Sequence, residues 1–290
     1  MTDREPDTVE EEEPPLFAFP VDEPLIEPRV AGQFGDLLPR LATAVVLVVV
    51  GGVSIWMGGY WFVALIAVVI GVMIWELVTM AKAGAKRARF LGGVGAAAIV
   101  LANSVPVGFG LPILMLVPMA AIAVIRTRRR MIVGFSTAIV LAGISVTDHL
   151  TQFGLPWMLW LIAVVVMSDV AGYFAGRILG GPKFWPRLSP KKTWSGTIAG
   201  WIGAGLVGLV WVIWQNAGWE TVGISVALAM MAQMGDIAES AVKRKCGVKD
   251  SSQLLPGHGG LFDRFGAMLG AALMLLVIVS LSEFPPVPGV

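Results

Sequence analysis

"LATAVVLVVVGGVSIWMGGYWFVALIAVVIGVMIWELVTM", residues 41–80, contains a single ionisable acid, Glu76, and no Lys or Arg. A helix needs about 20 apolar residues to cross the hydrocarbon of a bilayer, because every backbone N–H and C=O must be paired inside the segment. The stretch is long enough for two crossings, 41–58 and 60–80, with "MGG" as the turn between them. Working outward, the same apolar texture recurs at 91–107, 109–125, 131–148, 155–176, 197–215, 220–237 and 265–282. With 56% hydrophobic and 14% charged residues over 290 positions, the chain is excluded from the ordinary soluble domains. The fold class expected is an all-α polytopic integral membrane protein of about nine transmembrane helices.

The charges orient it. All 21 Lys and Arg fall before span 1 or in the loops after spans 2, 4, 6 and 8, while the alternate loops and the C-terminal segment carry none. By the positive-inside rule the N-terminus is cytoplasmic and the C-terminus outside, in a cell (inner or plasma) membrane. Most of these charges need no further role, and "RTRRR" (126–130) reads as an anchor that also meets anionic lipid headgroups. The start of the chain, "MTDREPDTVEEEEPP", is acidic and proline-rich without the basic-then-apolar pattern of a signal peptide. Residues 1–36 are expected to form a disordered acidic cytoplasmic tail, 37–150 the N-terminal helices, and 151–290 the catalytic helices with two cytoplasmic loops. The single cysteine, Cys246, excludes an internal disulfide and any multi-cysteine metal site.

Two basic loops hold more than orientation requires. In "GDIAESAVKR", Asp236, Glu239, Ser240 and Lys243 stand at i, i+3, i+4 and i+7, on one face of a helix. Such a ladder also suits a plain helix end at the membrane surface. Downstream, "PGHGGLFDR" sets glycines 257, 259 and 260 around His258 and leads to Asp263 and Arg264. A glycine-rich turn lets backbone N–H groups approach an anion closely. Two aspartates at helix ends suit Mg²⁺, which takes one or two carboxylates and completes its shell with water and phosphate, so Asp236 and Asp263 are the expected metal ligands. Without a Cys/His set, zinc is disfavoured. In the other loop, Asp169 lies near the end of span 6, either a functional acid or a partner for Arg177 or another buried polar group. "SPKKTWSG" places Lys191 and Lys192 just before a helix start capped by Thr193 or Ser195, the composition of an anion site or of a routine anchor.

"SAVKRKCGVKDSSQLLPGHGGLFDR" (240–264) resembles the signature of the phosphatidate cytidylyltransferase family, with Ser-x-x-Lys-Arg, Lys-Asp, His-Gly-Gly and Asp-Arg at matching intervals. "SDVAGYFAGRILGG" and "LSPKKTWSG" resemble its other shared stretch, and the likeness runs over about residues 155–285. Two positions depart from it: Gly266 stands where the family usually has Asp, and Ser195 where it has Glu.

The resemblance implies transfer of CMP from CTP to phosphatidic acid, giving CDP-diacylglycerol and pyrophosphate, with Asp236, Ser240, Lys243 and Asp263 as the catalytic set. Mg²⁺ is the expected cofactor, with a second cation left open. The partners are CTP, phosphatidic acid and membrane lipids, with no nucleic acid and with a homodimer left open. Lys191, Lys192, Arg244, Lys249 and Arg264 are expected to offset phosphate charge. His258 is either a phosphate donor or a turn residue, and Asp250 a supporting ligand or a loop cap. The rival readings are a membrane transporter, with Glu76 and Asp169 along its pathway, and another CTP-dependent lipid kinase or cytidylyltransferase.

Overall fold

The computed structural model describes residues 37–285 apart from 107, 108, 187 and 256, so the expected acidic tail lies outside the described residues. Helices α1 (Leu37–Met57) and α2 (Gly59–Met80) come from the opening stretch and turn back on each other at Gly58 and Gly59, both at positive φ. They are followed by α3 (Ala85–Asn103), α4 (Gly110–Leu114), α5 (Leu116–Val124) and α6 (Arg129–Ile178). A hairpin of β1 (Lys183–Trp185) and β2 (Ser189–Thr193) pairs antiparallel, Lys183 opposite Thr193. Helices α7 (Trp194–Trp214), α8 (Glu220–Cys246) and α9 (Phe262–Leu281) complete the bundle.

Among the described residues each of the nine apolar segments falls largely on helix, but they are not equivalent. Among the described residues, six helices are long and apolar enough to cross a membrane. Helix α3 spends its first turns on Lys86, Arg87 and Arg89 and ends at Asn103. The fourth segment breaks into α4 and α5 because Pro118 has no N–H and its ring crowds the carbonyl of Leu114, which opens the ladder at Met115.

Helix α6 is two segments joined at a kink. Gly154 has φ 77° and ψ −174°, and Pro156 follows it. His149 Nε2 lies 3.1 Å from the carbonyl oxygen of Trp157. Eight residues of straight helix span about 12 Å, so the chain turns back there. The expected loop between spans 5 and 6 is thus little more than one glycine, the residue that adopts this conformation without a Cβ clash.

Much of the bundle's outer surface is apolar and exposed, including Val48, Trp56, Trp61, Ile178, Ile202 and Ile213. Apolar exposure on this scale marks a surface that faces lipid, and the chain is a multi-pass helical membrane protein. Inside, with no water to drive helices together, close approach of backbones does the work. A Cβ on Gly92 of α3 would sit 2.7 Å from the Gly71 carbonyl of α2. Gly196 and Gly172 join α7 to α6 in the same way, and Gly235 and Gly270 join α8 to α9. Of the α7 glycines, 196, 200, 203 and 208 are tight against a neighbour, while Gly205 makes only an ordinary contact with Val226. Gln233 of α8 sits at the three-helix junction, donating from Nε2 to Ser168 Oγ (3.4 Å) and Thr197 O (3.3 Å) and accepting from Trp201 Nε1 (3.0 Å).

The basic loops meet at one end of the bundle. Lys192 reaches Asp236, Arg128 lies beside Cys246, and the side chain of Arg40 fills the space next to Gly257.

Candidate active site

Helix α8 runs well past the apolar part of its sequence to Cys246, where Gly247 (φ 73°) closes it. The N–H of Gly247 donates to Arg244 O (2.9 Å) and that of Val248 to Lys243 O (3.0 Å), satisfying carbonyls that the helix end leaves open. The helix is regular through the ladder, so Asp236, Glu239 and Lys243 share a face. Lys243 Nζ stands 2.7 Å from Glu239 Oε1 and 2.7 Å from Asp263 Oδ1, the first residue-pair on its own helix and the second across to α9. The three side chains are only 13%, 7% and 4% exposed, so one ammonium is shared between two carboxylates away from bulk water.

The second oxygen of Asp263, Oδ2, accepts from Ser251 N (2.8 Å), Ser251 Oγ (2.9 Å) and Gly260 N (2.8 Å). The glycine-rich turn thus spends its N–H groups on a carboxylate of the protein itself. Leu255 N–H donates to Gly259 O, and His258 N–H to Leu255 O, closing the turn with Gly257 and Gly259 at positive φ. His258 contributes mainly its carbonyl, which accepts from Arg264 Nε (3.0 Å) and Nη2 (2.6 Å); its Nδ1 is buried with no hydrogen-bond partner among the described residues. Arg264 therefore folds back on the turn. Lys249 and Asp250 lie exposed on the loop, and Arg244 makes one long contact to Val248 O (3.4 Å). Ser240 is half-buried on the ladder, with no side-chain hydrogen bond among the described residues.

The hairpin closes the other side. A cleft of about 490 Å³ is lined by Asp169, Tyr173 and Arg177 of α6, Lys191 and Lys192 of β2, and Asp236 of α8. Thr193 caps α7, accepting from Gly196 N at 3.2 Å, while Ser195 Oγ donates to the Gly180 carbonyl. Lys192 Nζ holds Asp236 Oδ2 at 2.7 Å, with both side chains about 30% exposed. Lys191 is exposed beside it. Arg177 donates to Tyr173 at 2.8 Å, and no ion pair of Arg177 with Asp169 is present among the described residues.

Gly266 joins the two acidic groups. A Cβ there would collide with Glu239 Oε2 and stand 3.2 Å from Asp236 Oδ1. Glu239 thus fills the space that a larger residue at 266 requires, with Oε1 on Lys243 and Oε2 against Gly266. Asp236 and Asp263 belong to one charged row, linked through Glu239 and Lys243. Among the described residues no group of three or more His, Cys, Asp or Glu converges as a ready metal site. Open lone pairs remain: Asp236 Oδ1 accepts no hydrogen bond among the described residues, and Asp263 Oδ1 accepts only from Lys243. Two such carboxylate oxygens fit the donor chemistry of Mg²⁺.

Sequence reasoning left out three residues of this site. Glu239 was legible in the ladder but had no assigned task. Ser251 carried no signal. Glu76, fully buried in α2, binds the same turn through both carboxylate oxygens, and its only signal was an acid in an apolar span.

Residues 38–282 match the family described as "Cytidylyltransferase family". The chain is 45% identical to a phosphatidate cytidylyltransferase of Brucella suis over 139 residues, 47% of this chain and 52% of that protein. It is 40% identical to one of Staphylococcus saprophyticus over 129 residues (43% and 50%), and 41% identical to one of Helicobacter pylori over 134 (46% and 50%). The chain spans about half the length of the curated relatives it matches.

Proposed function

The chain belongs to the cytidylyltransferase family, and on that premise we propose that it transfers CMP from CTP to phosphatidic acid, forming CDP-diacylglycerol and pyrophosphate. The observation that carries this reading is the row of lysines and carboxylates that runs inward from the cleft, where Lys192 pairs with Asp236, through Glu239 to Lys243 paired with Asp263.

The reaction needs no protein nucleophile. An oxygen of the phosphatidate monoester, already anionic at neutral pH, attacks the α-phosphorus of CTP. A phosphoanhydride P–O bond forms, the bond to the β-phosphate oxygen breaks, and pyrophosphate leaves with the electron pair. The obstacle is repulsion between two polyanions, so positioning and charge neutralisation supply the rate. Lys191 and Lys192 border the cleft and are exposed enough to turn toward phosphate. Lys243 holds Asp263 in one orientation against the turn. Mg²⁺ on Asp236 and Asp263 would offset charge on the CTP phosphates and on the departing pyrophosphate.

The membrane setting follows from the lipid: the tails of phosphatidic acid stay in hydrocarbon while its headgroup reaches the interface. We place the basic end of the bundle in the cytoplasm, where CTP is dissolved, with nine crossings and the C-terminal segment outside.

Purified protein, phosphatidic acid and Mg²⁺, given each of the four nucleoside triphosphates in turn, is expected to release pyrophosphate with CTP alone. Asp263→Asn is expected to lower that rate by about a hundredfold or more. Release that is indifferent to the base, or lipid-independent solute flux in liposomes that survives Asp263→Asn, overturns the proposal.

A further inference from the structure

Helix α2 is apolar along its length except for Glu76, whose side chain is fully buried. A carboxylate costs several kcal/mol to remove from water unless donors replace the lost hydration. Here the donors come from a segment some 175 residues away. Ser252 Oγ (2.5 Å) and Leu261 N (3.1 Å) donate to Oε1, and Phe262 N (2.7 Å) and Ser251 Oγ (3.2 Å) face Oε2.

Two of those donors open α9. The first N–H groups of a helix have no partner within it, and the positive end of its dipole favours an anion. A side chain at the N-cap position ordinarily supplies this, but the N-cap of α9 is Leu261, which has nothing to offer. Glu76 performs the capping from another helix.

The other donors tie the cap to the Asp263 carboxylate. Ser251 Oγ sits between Glu76 Oε2 (3.2 Å) and Asp263 Oδ2 (2.9 Å), and Ser251 N donates to Asp263 Oδ2. Gly260, whose N–H also holds Asp263 Oδ2, has no room for a side chain, since a Cβ there would run into Ser251 Oγ and the Glu76 carboxylate. The second glycine of His-Gly-Gly is therefore explained by Glu76 as well as by the turn.

We propose that Glu76 is a positioning residue for the transfer site, clamping the 251–262 turn and the start of α9 so that Asp263 keeps its orientation. The assignment rests on the function proposed above, but the clamp itself is testable without turnover. It also gives the N-terminal helices a part in the chemistry of the C-terminal ones.

The test uses the full chain in lipid nanodiscs, comparing wild type with Glu76→Gln and with Ile99→Ala, a buried α3 residue away from the turn that serves as a stability control. Gln preserves shape, but its amide nitrogen cannot accept, so either Phe262 N and Ser251 Oγ or Leu261 N and Ser252 Oγ lose their acceptor. In Glu76→Gln, backbone amide exchange of the 251–262 segment is expected to quicken by tenfold or more, an effect on the order of one lost charged hydrogen bond. With CTP and phosphatidic acid, kcat per folded molecule is expected to fall by roughly tenfold to a hundredfold, with KM for CTP within about twofold. Ile99→Ala is expected to lower Tm while leaving both the exchange of the turn and kcat per folded molecule as in wild type. If Glu76→Gln does not accumulate, Ser251→Ala and Ser252→Ala, each removing one donor, are read in the same way. A Glu76→Gln protein that loses only Tm, with turn exchange and kcat per folded molecule unchanged, makes Glu76 merely structural and overturns the proposal. If wild type shows no CTP-dependent turnover, the function fails while the exchange measurement still decides the clamp.

Discussion

The turn between α8 and α9 and the hairpin between α6 and α7 border the same row of charges, yet they hold charge in opposite ways. At the turn the two buried carboxylates are locked: Asp263 accepts from Ser251 N, Gly260 N and Lys243, Glu76 accepts from Ser252 Oγ, Leu261 N and Phe262 N, and the Ser251 hydroxyl lies between the two. In the hairpin Lys191 stands in solvent and Lys192 holds Asp236 through a pair that is about 30% exposed. Breaking a buried ion pair costs about 3–5 kcal/mol, whereas an exposed one contributes about 0–1 kcal/mol. One side of the site is thus built rigid before substrate arrives, and the other can trade its protein partner for phosphate at little cost. For a reaction whose barrier is charge repulsion, that division is economical: the acids stay aimed while the cations move to the incoming anion.

The largest effect that would break this comparison is at Lys243. Lys243→Met leaves Glu239 and Asp263 buried without their shared ammonium, and the fold is expected to lose about 3–5 kcal/mol, read as a fall in Tm in detergent. An unchanged Tm would mean that the turn is not ion-locked. A middle effect sharpens the role of the α8 and α9 contact. Gly266→Asp inserts a side chain where Glu239 Oε2 sits, with an expected cost of about 1–3 kcal/mol. Adding Glu239→Ala to the same chain is expected to recover part of that loss, and a double-mutant cycle measures the coupling. Simple additivity would show that the two positions do not compete for one space. The smallest effect belongs to the hairpin: Lys191→Ala should leave Tm as in wild type and raise KM by no more than about fivefold, the scale of one exposed ionic contact. A large drop in Tm there would erase the distinction between the two loops.

How much of this was legible beforehand depends on distance along the chain. The Asp236, Glu239 and Lys243 ladder was readable because helix periodicity is local, and α8 is regular through all three. Thr193 as the cap of α7 was readable for the same reason. The break of α6 was expected as a loop and proved to be a single kink at Gly154, since a glycine two residues before a proline can turn the chain without a connecting segment. The fourth apolar segment read as one span, and only the missing N–H of Pro118 divides it. Inside the site, Asp236 and Asp263 were expected to face one cation together. The coordinates add Glu239 and Lys243 as the link between them, and Lys192 as a second ammonium in the row.

By itself the amino-acid sequence determined that the chain lives in a membrane, which segments are helical, and which residue types could manage phosphate charge. Each of those properties is set by hydropathy or by contacts within a turn or two of helix. Only the tertiary structure decided that Glu76 of α2 caps α9, that Ser251 stands between two carboxylates, and that Glu239 fills the space beside Gly266. Those partners come from different helices, and no periodicity in a chain reports which faces of two helices will meet.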